Sequence, residues 1–118
     1  MSKGKKAQFT LRSRETLLKR GMMDYCVTGS YRHFAAGDAY LTDERFHFHA
    51  DFSTGECISF ELPLKEINAV QKIGVPFFTQ SMLITADSGQ YRLNATFVGR
   101  WVKAVSRAVF AARDQENK

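Results

Sequence analysis

No apolar run in this chain of 118 residues is longer than a few positions, and stretches such as Val75–Phe78 fall far short of the roughly 20 residues a membrane-spanning helix requires. A transmembrane segment is therefore not expected. Cysteine is scarce: Cys26 and Cys57 are too few for a disulfide scaffold, and the expectation is two reduced, mostly buried thiols. The first six residues are basic, like the head of a signal peptide, but Ala7–Arg12 supplies no apolar stretch behind them, so the protein is expected to stay inside the cell, in the cytoplasm. Acid is nearly missing from the start of the chain. Residues 1–20 hold seven Lys and Arg against Glu15 alone, a net +6, whereas residues 21–118 hold 10 basic and 11 acidic residues, a net −1. Internal repeats are absent, and 118 residues leave room for one core only.

What is present is organised by period. Residues 1–8 show no apolar periodicity and read as a basic flexible arm. Ser13 as N-cap, Glu15 in a first turn, Lys19 and Arg20 in a last turn and Gly21 behind them predict a short helix, with Leu11, Leu18 and Met22 along one stripe. Beyond Gly21 the period becomes two. Asp24–Thr28, Asp38–Thr42, Arg45–His49, Cys57–Leu62, Ile67–Ile73, Ser81–Ala86 and Gln90–Asn94 read as strands, the last two joined by a tight turn at Asp87-Ser88-Gly89. Pro63 ends the fourth of them. From Val98 the period is that of a helix: Val98, Trp101, Val102, Val105, Ala108, Val109 and Ala112 recur at three- and four-residue steps, with Asn94 or Thr96 as cap and an end near Arg113. The fold class is mainly β (α+β): a bent antiparallel sandwich or barrel of about seven strands, capped by a C-terminal amphipathic helix that inserts Trp101 into its mouth, with a short N-terminal helix. The domain spans 9–113, and 114–118 form a flexible tail.

This order of elements resembles the pleckstrin-homology (PH) superfold, and particular residues are similar to the GRAM domain family within it. They are Phe9-Thr10-Leu11 with Glu15-Thr16-Leu17-Leu18, then Tyr25-Cys26, then the run from Gly37 through Tyr40-Leu41-Thr42 to Arg45-Phe46-His47-Phe48, then Phe60-Glu61-Leu62-Pro63-Leu64 with Ile67, and Ser88–Leu93. The resemblance covers roughly residues 9–113. It implies a non-enzymatic binding module associated with intracellular membranes, lipids or protein partners. In the PH pattern for phosphoinositides several Lys and Arg flank the first hairpin; here the loop 28–36 offers Arg32 and His33 only.

The residues themselves define candidate contacts. Lys3, Lys5, Lys6, Arg12 and Arg14 supply salt-sensitive attraction to an anionic lipid surface, and Arg32 and His33 add a local contact. Tyr31 and Phe34 flank that pair, which suits a headgroup boundary where cations reach phosphate and rings lie against acyl chains. Phe77 and Phe78, beside Pro76, form a second tip for membrane or subunit contact. Phe46, Phe48, Phe60, Tyr91, Phe97 and Trp101 follow core periodicities. His47 and His49 share one strand face, with Asp51 or Cys57 as a conceivable third metal ligand, yet a strand with one wet face needs polar residues there in any case. No metal and no cofactor is expected, and no nucleophile–base signature or phosphate-cradling glycine loop points to catalysis. The sheet carries too few interleaved cations for specific nucleic-acid binding. The expected role is docking on an anionic membrane lipid or a protein partner; the alternative is a self-assembling protein-interaction domain without lipid binding.

Overall fold

The strand that opens the fold lies where the local signals predict a helix. In the computed structural model, which describes residues 9–26, 34–51, 57–74 and 80–116, Ser13 and Arg14 form a turn, with Arg14 at φ 71°, and β1 runs through Leu17–Cys26. The expected helix over 13–21 is absent because two of its punctuation residues, Glu15 and Gly21, have long-range uses. Glu15 is an ion-pair partner of Arg45, and Gly21 lies beneath Trp101, where a Cβ would come within 3.2 Å of the indole Cζ2. Strand pairing over most of β1's length outweighs the helix preference of its Leu, Lys, Arg and Met residues.

The remaining elements follow the alternation. They are β2 (Phe34–Thr42), β3 (Arg45–Asp51), β4 (Cys57–Pro63), a 3₁₀ turn (Leu64–Glu66), β5 (Ile67–Gly74), β6 (Gln80–Ala86), β7 (Gly89–Asn94) and α1 (Val98–Glu116). All pair antiparallel in the order β4-β3-β2-β1-β7-β6-β5. On β3, Phe46, Phe48 and Ala50 point inward and Arg45, His47 and His49 outward. Gly37 marks a close approach of β2 to β3: a Cβ there would clash with the carbonyl oxygen of His49 and with Ala50.

Helix α1 closes the mouth of the bent sheet, packing on β5, β6 and the 3₁₀ turn. Trp101 bridges to the other half, edge-on to Phe46 at 6.3 Å, beneath the Lys19 ammonium and against Gly21. Burial of Val98, Trp101 and Val105 contributes roughly 1.5–3 kcal/mol for each fully buried side chain. Three details depart from the sequence pattern. The helix cap is neither Asn94, whose Oδ1 accepts from the Ser81 hydroxyl, nor Thr96; Phe97 precedes the first helical residue, its carbonyl accepting from Arg100 N–H, and α1 continues to Glu116. Phe97 is not core: it sits in the left-handed region at φ 57° and is 67% exposed, because the chain reverses there between β7 and α1. Cys26 is half-buried, but Cys57 is exposed on the edge strand β4, since the wet face of the sheet includes its odd-numbered positions.

Candidate docking surface

The outward face of β2, β3 and β4 is crossed by residues 9–16, held by a chain of charges. Arg45 is the hub. Its Nε and Nη2 donate to the two carboxylate oxygens of Glu15 at 2.7 and 2.9 Å, its Nη1 donates to Glu61 at 2.7 Å, and Nη2 also reaches the Thr10 carbonyl at 2.8 Å. Thr42 Oγ1 donates to Glu15 at 2.5 Å while accepting the N–H groups of Glu44 and Arg45. Arg12 extends the network, donating from its backbone to Glu15 and from its side chain to Glu44 and Glu61. The hydrogen bonds from Arg45 hold the Glu15 carboxyl down at about 2, against its burial, with Thr42 and the Arg12 N–H assisting. Arg45 is correspondingly pushed up. For Glu61, burial works upward but is outweighed by the hydrogen bond and charge of Arg45 and the charge of Arg12, so its pKa is lowered.

Aromatic contacts complete this latch. Phe9 stacks on Tyr40 with ring centroids 4.3 Å apart, lies 5.1 Å from His47, and carries the Arg45 guanidinium 4.7 Å above its centroid. Burial lowers the pKa of His47, with Glu61 pulling the other way from 3.5 Å. Beside the latch is an open concavity of about 850 Å³ between the 9–11 segment and β1–β3, lined by Leu11, Leu17, Met22 and Tyr40 with Arg20, Asp38, His49 and Asp51. Met22, at 71% exposure, is the most open apolar residue of that lining.

Of the residues singled out in the sequence, Arg12 and Arg14 are exposed on the latch, Arg12 ion-paired as above. Phe34 begins β2 and pairs with Cys26. Lys3, Lys5, Lys6, Tyr31, Arg32, His33, Phe77 and Phe78 lie outside the described residues. Because Cys26 pairs with Phe34 and Gly74 with Gln80, Tyr31–His33 belong to the β1–β2 connection and Phe77–Phe78 to the β5–β6 connection. His49 Nε2 meets Asp51 at 2.9 Å, and among the described residues no three His, Cys, Asp or Glu side chains gather as a metal-ligand set. The Glu15–Arg45–Glu61 hub was not legible, since its members are 30 and 16 residues apart; the one available hint is an arginine opening an otherwise aromatic and histidine strand.

The sequence model of the GRAM domain matches residues 3–101, most of the chain. The protein belongs to the GRAM domain family. No curated protein matches it in sequence. Solved structures share the fold of this GRAM domain. The Vps36 N-terminal PH domain is 17% identical with a TM-score of 0.68, the similarity covering 86% of this chain and 84% of that one. The C-terminal domain of an unknown protein from Leishmania infantum is 13% identical with a TM-score of 0.67, covering 83% and 87%. The PH-containing structure of PDZ-RhoGEF DH/PH domains in complex with GTP-γ-S activated RhoA is 16% identical with a TM-score of 0.57, over 81% of this chain but 30% of that one. GRAM and PH-like domains are typically lipid- or protein-interaction modules and generally non-catalytic.

Within the GRAM run the geometry gives each residue a task. Gly37 permits the close crossing of β2 and β3, Leu41 and Phe46 fill the core, and Thr42 turns the corner and delivers its hydroxyl to the latch. No helix among the described residues is long and apolar enough to cross a membrane.

Proposed function

We propose that this GRAM domain is a non-catalytic docking module that holds to the anionic face of an intracellular membrane from the cytoplasmic side, with Lys3, Lys5, Lys6 and Arg14 supplying long-range attraction and Arg32, His33, Tyr31 and Phe34 the local contact. The observation that carries this reading is the state of the acids at the root of the arm. Glu15, Glu44 and Glu61 are all engaged by Arg12 or Arg45, so the latch keeps a net charge of only −1, and Lys3, Lys5, Lys6 and Arg14 outweigh it and are left for an outside anion. Near a membrane surface each Lys or Arg is worth about 1 kcal/mol, so the three lysines and Arg14 contribute about 4 kcal/mol of attraction to which the local contact adds. Co-sedimentation with vesicles tests it: the full chain should pellet with acidic vesicles and not with neutral ones, and removal of residues 2–6 should weaken pelleting. Equal pelleting on both vesicle types, or indifference to the deletion, refutes it.

A second reading, a protein partner or a second copy of the chain, draws support from the concavity lined by Leu11, Leu17 and Met22, an apolar ledge on an otherwise polar sheet face. Light scattering over a dilution series separates the readings, because self-association depends on protein concentration and vesicle docking on lipid charge.

A further inference from the structure

The side of α1 that faces away from the core has a pattern of its own. Arg100, Lys103, Arg107 and Phe110 are all exposed, and at 100° per residue they fall within about 80° of one another, opposite Trp101, Val105 and Ala108. Between Val98 and Arg113 the helix holds no acidic residue. Arg100 and Lys103 are three residues apart and Lys103 and Arg107 four, so like charges occupy the spacings at which a helix gains from opposite ones. Arg100 stands in the first turn, where the helix dipole favours anions, and that turn contains no acid. Helix stability gives no reason for this arrangement.

Two exposed rings bracket the cations. Phe110 is 75% exposed. Phe97, held outward by its left-handed backbone, has the Arg100 guanidinium 4.7 Å from its centroid. Thirteen residues separate the rings, about 20 Å along the helix. The Lys72 ammonium approaches from β5 to 3.8 Å of the point where a Cβ on Gly99 would lie, adding a fourth cation at the rim of a shallow depression between Phe97, Gly99, Arg100 and Lys103. Arg113 is not part of the stripe, since it donates to the Ile67 carbonyl and Asn68.

We infer that the outward face of α1, from Phe97 to Phe110, is a membrane-contact surface that takes anionic phospholipid headgroups between its cations and sets its two phenyl rings at the acyl boundary. A basic stripe flanked by apolar rings is complementary to that interface in both charge and polarity. The inference rests on the docking reading above and adds to it which face of the body meets the bilayer.

The test uses the full chain and phosphatidylcholine vesicles with about one-fifth phosphatidylserine, a composition that gives the surface a negative potential. Each cation near such a surface is worth about fivefold in partition, so Lys103→Gln with Arg107→Gln should weaken binding about 25-fold, with the circular dichroism unchanged and the thermal midpoint not lowered, because both side chains are exposed and their mutual repulsion is removed. In a Phe110→Trp variant, brominated acyl chains should quench the new indole, while Trp101, buried in the core, provides a constant background. If the wild-type chain binds these vesicles yet the charge variant binds equally well and the new indole is not quenched, the helix-face inference fails and the docking reading stands. If the wild-type chain does not bind acidic vesicles at all, both fail.

Discussion

Replacing Glu15 by Gln should cost the fold about 3 kcal/mol at neutral pH, and that cost should shrink in acid. The Glu15 side chain is fully buried and takes two hydrogen bonds from Arg45, which together with Thr42 hold its carboxyl at about 2 instead of 4.5. A depression of that size corresponds to about 3 kcal/mol of folding free energy. Because the folded pKa lies below the unfolded one, this contribution is complete above about pH 5 and is lost as the pH falls towards 2. Glutamine keeps the shape but leaves Arg45 with Glu61 as its one carboxylate, a penalty typical of a broken buried pair. Urea unfolding followed through Trp101, the single tryptophan and 4% exposed, reads the difference directly. Arg45→Met should lose a similar amount, and the double variant less than the sum of the two. A loss below about 1 kcal/mol at pH 7, or a gap between wild type and Glu15→Gln that stays constant from pH 7 to pH 3, refutes the assignment of the latch to this pair.

Gly37→Ala should destabilise the domain by at least about 2 kcal/mol in the same urea assay, because its Cβ would clash with the His49 carbonyl oxygen and neither strand can yield without breaking the β2–β3 pairing. Phe97→Gly should do the opposite, relieving a left-handed residue worth about 1 kcal/mol and raising the thermal midpoint by about 4 °C, while weakening binding to acidic vesicles. In an NMR titration His47 should titrate below the ordinary histidine range, since burial disfavours its charged form, and Glu61→Gln should lower it further by removing the carboxylate that opposes this. The depressed pKa means that stability from His47 is lost as the pH falls through the unfolded value near 6.5.

Most of the sheet was legible because its residues announce their period. Arg45–His49 alternates without exception, Asp87-Ser88-Gly89 is turn chemistry, and the valines and alanines after Phe97 repeat at helical steps. Of β1 only the end, Asp24–Cys26, fell in an expected strand; the rest was not legible, because Leu17–Met23 contains no β-branched residue and is bracketed by residues that resemble helix caps. Those residues obey tertiary demands: Glu15 answers Arg45 and Gly21 makes room for Trp101, neither of which is near in sequence. Phe97 keeps apolar spacing with the helix but sits one residue before it, where the chain turns, so its ring points to solvent. At the candidate site, net charge and its concentration in residues 1–20 could be counted directly. Which cations are consumed by neighbours could not: Arg12 and Arg45 are ion-paired with Glu15, Glu44 and Glu61, whereas Arg100, Lys103 and Arg107 share a helix stretch without acid.

The claim that this domain docks through uncompensated positive charge is tested most directly by the salt dependence of its partition onto acidic vesicles. Binding should fall steeply as ionic strength rises from about 0.01 to 0.5 M, where the screening length contracts from roughly 30 Å to less than 8 Å. Affinity that is independent of salt, or equal on neutral vesicles, contradicts the account.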